Sequence, residues 1–224
     1  MPQLEATYRS SARRAFASVW LFRAAAAVAV PYIAAALWRL SQPDEFVISI
    51  ASPSRGFVLN MAALALTALV AVAVRLSALI AFVAWLYRAT KNLPALGVTD
   101  AGVTPGWTIG CWFVPFVNII APCIVVLRLW RASDPGSPAG HSQGRQGWLL
   151  VYAWWGAFLA VSAAGFAVWF ARATDAPPGM LARGQAWAYL CSGIATVVMS
   201  LLAVRVVREI ERRQTEKSQL QAFT

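Results

Sequence analysis

The residues that do most enzyme chemistry are nearly missing from this sequence. One histidine, His141, stands among 224 residues, and aspartate and glutamate together number nine. No acidic residue lies inside any long apolar stretch. Proton relays, cation coordination and paired-carboxylate catalysis therefore have no donors there. A metal site needs clustered His, Cys or carboxylate side chains, and a Ser/His/acid set needs an acid and a histidine together; neither pattern occurs. The three cysteines, Cys111, Cys123 and Cys191, sit in apolar segments with no CxxC spacing, which reads as buried thiols. His141 lies in a Gly/Pro/Ser-rich loop and reads as solvated. The chain is expected to be no enzyme and to hold no cofactor and no metal.

What is abundant is apolar sequence. Hydrophobic residues make up 59% of the chain and charged ones 12%, against about 25% charged in an ordinary soluble domain. Five hydrophobic segments emerge, at about 16–38, 57–88, 107–130, 148–171 and 184–204. Crossing a hydrocarbon core of about 30 Å takes about 20 apolar residues in a helix. The fold class is therefore an all-α integral membrane protein. One membrane domain, 16–210, lies between a short N-terminal segment, 1–15, and a polar C-terminal tail, 211–224. Of 11 tryptophans, eight lie at or near segment ends (Trp20, Trp38, Trp85, Trp107, Trp130, Trp148, Trp169 and Trp187), as expected of an interfacial aromatic belt. Arg9, Arg13 and Arg14 precede an apolar run too long for a cleaved signal, so segment one reads as a signal anchor. The net charge of +10 is spread over the flanks of apolar spans, so no nucleic-acid partner is expected. Only Lys91 and Lys217 of the 19 basic residues are lysine, a bias that points to a GC-rich bacterial genome.

Segment one contains Pro31, which removes one helical hydrogen bond. Segment two spans 32 residues, about 48 Å as a helix, so it must tilt, protrude or break. A short extended or interfacial piece is expected at Phe46–Ile50, turn chemistry over Thr90–Trp107, and a flexible linker at 131–147. Segment three places Pro115, Asn118 and Pro122 within eight residues. Two prolines so close free several carbonyls, which Asn118 could bond, and such backbone is tolerated only under protein or beside a wet cavity. Gly156, Ala160 and Ala164 form a small-residue packing stripe, and Ser192, Thr196 and Ser200 a hydroxyl stripe at the same spacing. Beyond Val204 the helix is expected to continue into water through Val206, Val207 and Ile210, with Arg205–Glu209 and Glu209–Arg213 pairs, before fraying over the last ten residues.

Two arginines fall inside the spans. Arg23 lies about 10 Å along its helix from Phe16, close enough to reach the headgroups. Arg75 lies about 20 Å from Arg88, and an arginine at that depth costs ~2.5–3.5 kcal/mol on insertion scales. It is expected to face the protein interior and to meet the third segment, whose carbonyls could take its forked donors.

The stretch from Trp85 to Ser133 carries a resemblance. Its pieces are Trp85-Leu86-Tyr87-Arg88-Ala89 with Asn92-Leu93, Leu96-Gly97, Thr104-Pro105-Gly106-Trp107, Trp112-Phe113-Val114-Pro115-Phe116-Val117-Asn118 with Pro122, and Leu129-Trp130-Arg131-Ala132-Ser133. These resemble the bacterial multi-pass membrane family called domain of unknown function 4328. The family often has an aromatic residue after the second proline, where this chain has Cys123. The resemblance implies a multi-pass bacterial membrane protein and no assigned activity. The residues singled out for a structural or ligand-contact role are Arg75, Trp85, Arg88, Asn92, Pro115, Asn118 and Pro122.

Charge arithmetic chooses the topology. With five crossings the Lys/Arg residues divide seven to ten, which orients nothing well. If segment three enters and leaves on one side, thirteen basic residues share the side of both termini and four (Arg39, Arg55, Arg172 and Arg183) face the other. The expectation is four transmembrane helices plus a re-entrant third segment, in the cell (inner) membrane, with both termini cytoplasmic. Two function classes follow. One is a non-catalytic scaffold or accessory protein that binds the lipid bilayer's anionic lipid or another membrane protein. The alternative is a small transporter or channel for a small or anionic solute, with Arg75 and the broken segment lining the path.

Overall fold

A backbone surrounded by lipid must satisfy its own hydrogen bonds, which leaves helices as the solution for separate apolar segments. The computed structural model describes residues 8–41, 55–136, 145–172 and 178–221. Six helices occur among them: α1 (Ala12–Ser41), α2 (Arg55–Lys91), α3 (Pro105–Gly110), α4 (Ala121–Ala132), α5 (Arg145–Arg172) and α6 (Pro178–Gln221). Short 3₁₀ turns at Pro94–Leu96 and Val117–Ile119 complete the regular structure, and no strand occurs among the described residues. Four helices are long and apolar enough to cross a membrane: Ala12–Ser41, Leu66–Lys91, Gly147–Ala167 and Arg183–Gln221. This is an all-α, multi-pass membrane protein.

Neighbouring long helices run antiparallel. Ser11 bonds Glu211 at one end of the α1–α6 pair, while a Cβ on Gly193 would meet Ile33 farther along it. Arg9 meets Asn92 and Phe22 meets Phe82 across α1 and α2. One end of the bundle thus gathers the start of α1, the end of α2, the end of α4, the start of α5 and the last third of α6. The packed core lies toward this end. Its centre is Phe82, with ring centroids of Phe22, Trp85, Trp112 and Trp154 at 5.8, 5.4, 6.2 and 5.4 Å.

Helix α1 continues through Pro31, and α2 runs unbroken for 37 residues. Segment three is the one that does not form a single helix. Thr104 caps the six-residue α3 by accepting from the Trp107 amide. The chain then turns through Phe116, a non-glycine residue at φ 63°. Pro122 ends no helix; it sits in the first turn of α4, where its missing N–H has no partner to lose.

Both flanks of this segment return to the same end of the bundle. The Gly102 carbonyl accepts from Arg128, Lys217 donates to the Ala132 carbonyl (3.2 Å), and a Cβ on Gly97 would meet Gln221. In the middle, the Ile119 carbonyl accepts from Trp155 Nε1 at 2.9 Å. Trp155 lies ten residues into α5, so the break reaches about 15 Å along the bundle.

Several expectations change. The C-terminal extension is not a frayed tail in water: α6 continues to Gln221 with Val206, Val207, Ile210 and Gln214 fully buried, packing on α1 and α5 while Gln214 reaches Ala89 and Ser133. Glu209 pairs with Arg213 as expected, but its second partner is Arg212 and not Arg205 among the described residues. Of the eight belt tryptophans, Trp20, Trp38, Trp107, Trp169 and Trp187 are exposed, whereas Trp85 and Trp130 are buried. Cys111 and Cys123 are buried but Cys191 is exposed. Gly156 and Ala160 face outward, and a Cβ on Gly156 would meet nothing within 4 Å, so that part of the stripe packs on no helix of its own chain. The expected piece at Phe46–Ile50, His141, and residues 137–144 of the expected linker lie outside the described residues.

Candidate functional site

Trp85, Arg88 and Asn92 recur at spacings of three and four, which puts them on one face of α2. Each is occupied by the protein itself. The Asn92 carboxamide pairs with both backbone groups of one residue: Nδ2 donates to the Arg9 carbonyl at 2.9 Å, and Oδ1 accepts from the Arg9 amide at 3.4 Å. Arg88 donates to the same carbonyl through Nε and Nη2. Trp85 Nε1 donates to Glu211 Oε1 at 2.7 Å, and Ser11 Oγ donates to that same oxygen at 2.5 Å. Gln214 Nε2 donates to the Ala89 carbonyl and to Ser133 Oγ. The three residues therefore build a clamp joining the N-terminal segment, α2, α4 and α6. Glu211, Gln214 and Lys217 complete it, and nothing local in the sequence marks them, since their partners lie 81–200 residues away.

The break in segment three borders a groove of about 830 Å³. Its walls are Leu76, Leu79, Ile80, Val83 and Ala84 of α2, Ile109, Trp112, Phe113 and Ile119 of the third segment, and Phe158 and Leu159 of α5. Asn118 and Ser162 are the polar residues in this lining. Pro115 and Asn118 are exposed and Pro122 is buried. The side chain of Asn118 bonds no carbonyl in the break, contrary to expectation. Local turns do that work instead: the Val117 amide donates to Pro115, Asn118 to Val114, and Ile119 to Phe116. Trp155 covers the carbonyl of Ile119. A tight sequence of turns bonds its own backbone, so the asparagine is left facing the groove. The carbonyl of Ala84, one of the wall residues, accepts from Arg14 Nη1 at 3.4 Å.

Arg75 lies elsewhere. It lines a separate cavity of about 300 Å³ among α1, α2, α5 and α6, with Tyr32, Ala71, Ala164, Gly165, Tyr189 and Ser192. Its Nη2 donates to Thr196 Oγ1 at 3.3 Å, so its partner is the last helix and not the third segment. Thr196 in turn donates to the Ser192 carbonyl at 2.7 Å. The described linings of the two cavities have no residue in common. Arg23 is exposed, with its guanidinium 5.2 Å from the centroid of the Trp20 ring.

A family model, Domain of unknown function (DUF4328), matches residues 56–212. The chain belongs to that family. No curated protein and no solved structure matches it. The DUF4328 match takes in α2 to most of α6, and with them the groove, Arg75 and the Glu211 carboxylate. The N-terminal segment that the clamp holds lies before the matched region, so in this DUF4328 protein the matched domain grips a neighbouring piece of chain.

Proposed function

We propose that this protein is a non-catalytic membrane component whose groove, between α2, the broken third segment and α5, binds an anionic lipid. The observation that carries this reading is the pairing of an apolar groove with a cation bonded to the backbone of one of its wall residues. An acyl chain fits walls made of leucine, isoleucine, valine and aromatic side chains, while Arg14 at Ala84 offers a charge for a phosphate headgroup. A transport path shared by Arg75 and the third segment has no such support, because the two line different cavities.

The same reading puts the protein in a bacterial inner membrane with both termini cytoplasmic and segment three re-entrant. The thirteen-to-four division of Lys and Arg supports it. So does the return of both flanks of segment three to the end that holds Ser11 and Glu211. The basic residues of the N-terminal segment then lie where anionic headgroups are attracted.

The test is native mass spectrometry of delipidated protein titrated with phosphatidylglycerol and with phosphatidylcholine of equal chain length. The wild type should retain phosphatidylglycerol about fivefold better, from roughly 1 kcal/mol for one basic residue near the surface. Arg14→Gln should equalise the two lipids. Ile80→Trp, at an exposed position of the wall, should reduce retention of both. Equal retention of both lipids by all three proteins would refute the reading.

A further inference from the structure

The Arg75 cavity is not explained by the lipid groove. It lies toward the opposite end of the bundle from the clamp. Arg75 is 16 residues from the end of α2, Tyr32 is 20 from the start of α1, and Ala164 is 19 from the start of α5. Those spacings are about 24, 30 and 28 Å along the respective helices. All four long helices contribute to the lining.

Two features of this cavity are incomplete. Arginine keeps its charge at any accessible pH, so burial cannot neutralise it, and a counter-charge must come from elsewhere. None of the chain's apolar segments contains an acidic residue. Among the described residues Arg75 makes one hydrogen bond, to Thr196, which leaves four of its five N–H donors for another acceptor. Opposite it, the hydroxyl of Tyr32 is buried, lines the same cavity and has no hydrogen-bond partner. A forked cation and a phenol O–H both lacking an acceptor, in a space of about 300 Å³, match an anion with several acceptor oxygens.

We propose that this cavity is an oxyanion-binding site, in which Arg75 and Tyr32 together hold one phosphate or carboxylate group. The alanine and glycine lining is what lets such a group sit between the helices: Ala68, Ala71, Ala164, Gly165 and Ala188 leave room that larger side chains would fill. The group arrives either as a free anion from solution or as the headgroup of a lipid entering between helices. This site uses none of the groove's described lining and stands or falls independently of it.

The experiment measures equilibrium binding to protein in phosphatidylcholine nanodiscs with three probes: inorganic phosphate, acetate and short-chain phosphatidic acid. Tyr32→Phe keeps the ring and removes only the hydroxyl, and it should weaken binding about threefold to tenfold, as expected for one hydrogen bond to a charged acceptor. Arg75→Gln should abolish binding. Saturable binding of phosphate or acetate with this dependence identifies a free anion as the source. Binding of phosphatidic acid alone with the same dependence identifies a headgroup. The proposal is overturned if no probe binds, or if binding survives unchanged in Tyr32→Phe, a substitution with no packing volume to lose.

Discussion

Replacing Glu211 with alanine should open the clamp at the core end of the bundle. Glu211 Oε1 accepts from Trp85 Nε1 at 2.7 Å and from Ser11 Oγ at 2.5 Å. Both donor residues are essentially inaccessible, Trp85 at 0% and Ser11 at 1% exposure. Removing the carboxylate leaves two buried donors unpaired, each costing about 1–3 kcal/mol. Relief of the carboxylate's own desolvation offsets part of that, so the net loss should be about 2–4 kcal/mol. For a chain of this size the melting temperature should fall by roughly 4–16 °C. Thermal unfolding in detergent measures the shift. Trypsin should also cut faster at Arg9 and Arg13, because Ser11 no longer ties the N-terminal segment to α6. A double-mutant cycle with Trp85→Phe isolates the carboxylate–indole bond, which should couple by about 1.5–3 kcal/mol, the range for a bond to a charged group. A coupling near zero, with a Glu211→Ala protein as stable as the wild type, would show that packing alone holds this end.

The other predictions are shorter. Trp155→Phe should destabilise by about 1–3 kcal/mol by orphaning the Ile119 carbonyl, whereas Asn118→Leu should stay within about 0.5 kcal/mol; thermal melts of the two side by side decide, and the reverse order would refute the account of the break. Burial pushes the pKa of Lys217 below the ordinary lysine range, against the pull of Asp134. The unfolded chain therefore holds that proton at pH values where the folded chain has released it, so stability should rise as pH climbs toward the ordinary lysine value of about 10.4; Lys217→Met should flatten the rise in a pH series of melts. Topology is read by single cysteines, Thr99→Cys and Ser137→Cys, on a background lacking Cys111, Cys123 and Cys191. Neither should react with an impermeant reagent outside intact cells, and labelling at position 137 alone would mean that segment three crosses.

Hydrophobic segments are legible because the bilayer leaves apolar runs one backbone solution. That is why four of the five expected segments map onto long helices and the one with Pro115 and Pro122 does not. Side-chain partners are less legible. Trp85 at a segment end looks like an interfacial indole, and the aromatic cluster around Phe82 with Glu211, 126 residues away, makes it a core residue. The spacing of Val206, Val207 and Ile210 shows an amphipathic face, but not that α6 packs on α1 and α5. For Arg75 the sequence supplies depth and the lack of an acid. Which helix faces it depends on the rotation of α2, and that puts Thr196 opposite it rather than the prolines. Asn118 fails for a different reason: its reading assumed a broken helix with free carbonyls, whereas turns through Phe116 pair most of them locally.

The break in segment three can hold its shape because it is anchored at several points. A non-glycine residue at positive φ, such as Phe116 at 63°, costs of order 1–3 kcal/mol and persists only where its surroundings over-determine it. Here the Arg128 guanidinium ties the N-terminal flank at Gly102, Lys217 and Gln214 tie the C-terminal flank at Ala132 and Ser133, and Trp155 ties the floor at Ile119. Three of those four side chains come from α5 and α6, so the third segment's conformation is set by the helices that follow it in the chain. A groove wall fixed in this way is already ordered before any occupant arrives, and binding there spends little on ordering the protein. The Arg75 cavity is built the opposite way. Among the described residues one hydrogen bond, to Thr196, links its cation to the surrounding helices, and small residues line much of the rest. An anion bridging Arg75 to Tyr32 would connect α2 to α1 where the clamp does not reach, so occupancy of that cavity should stiffen that end of the bundle.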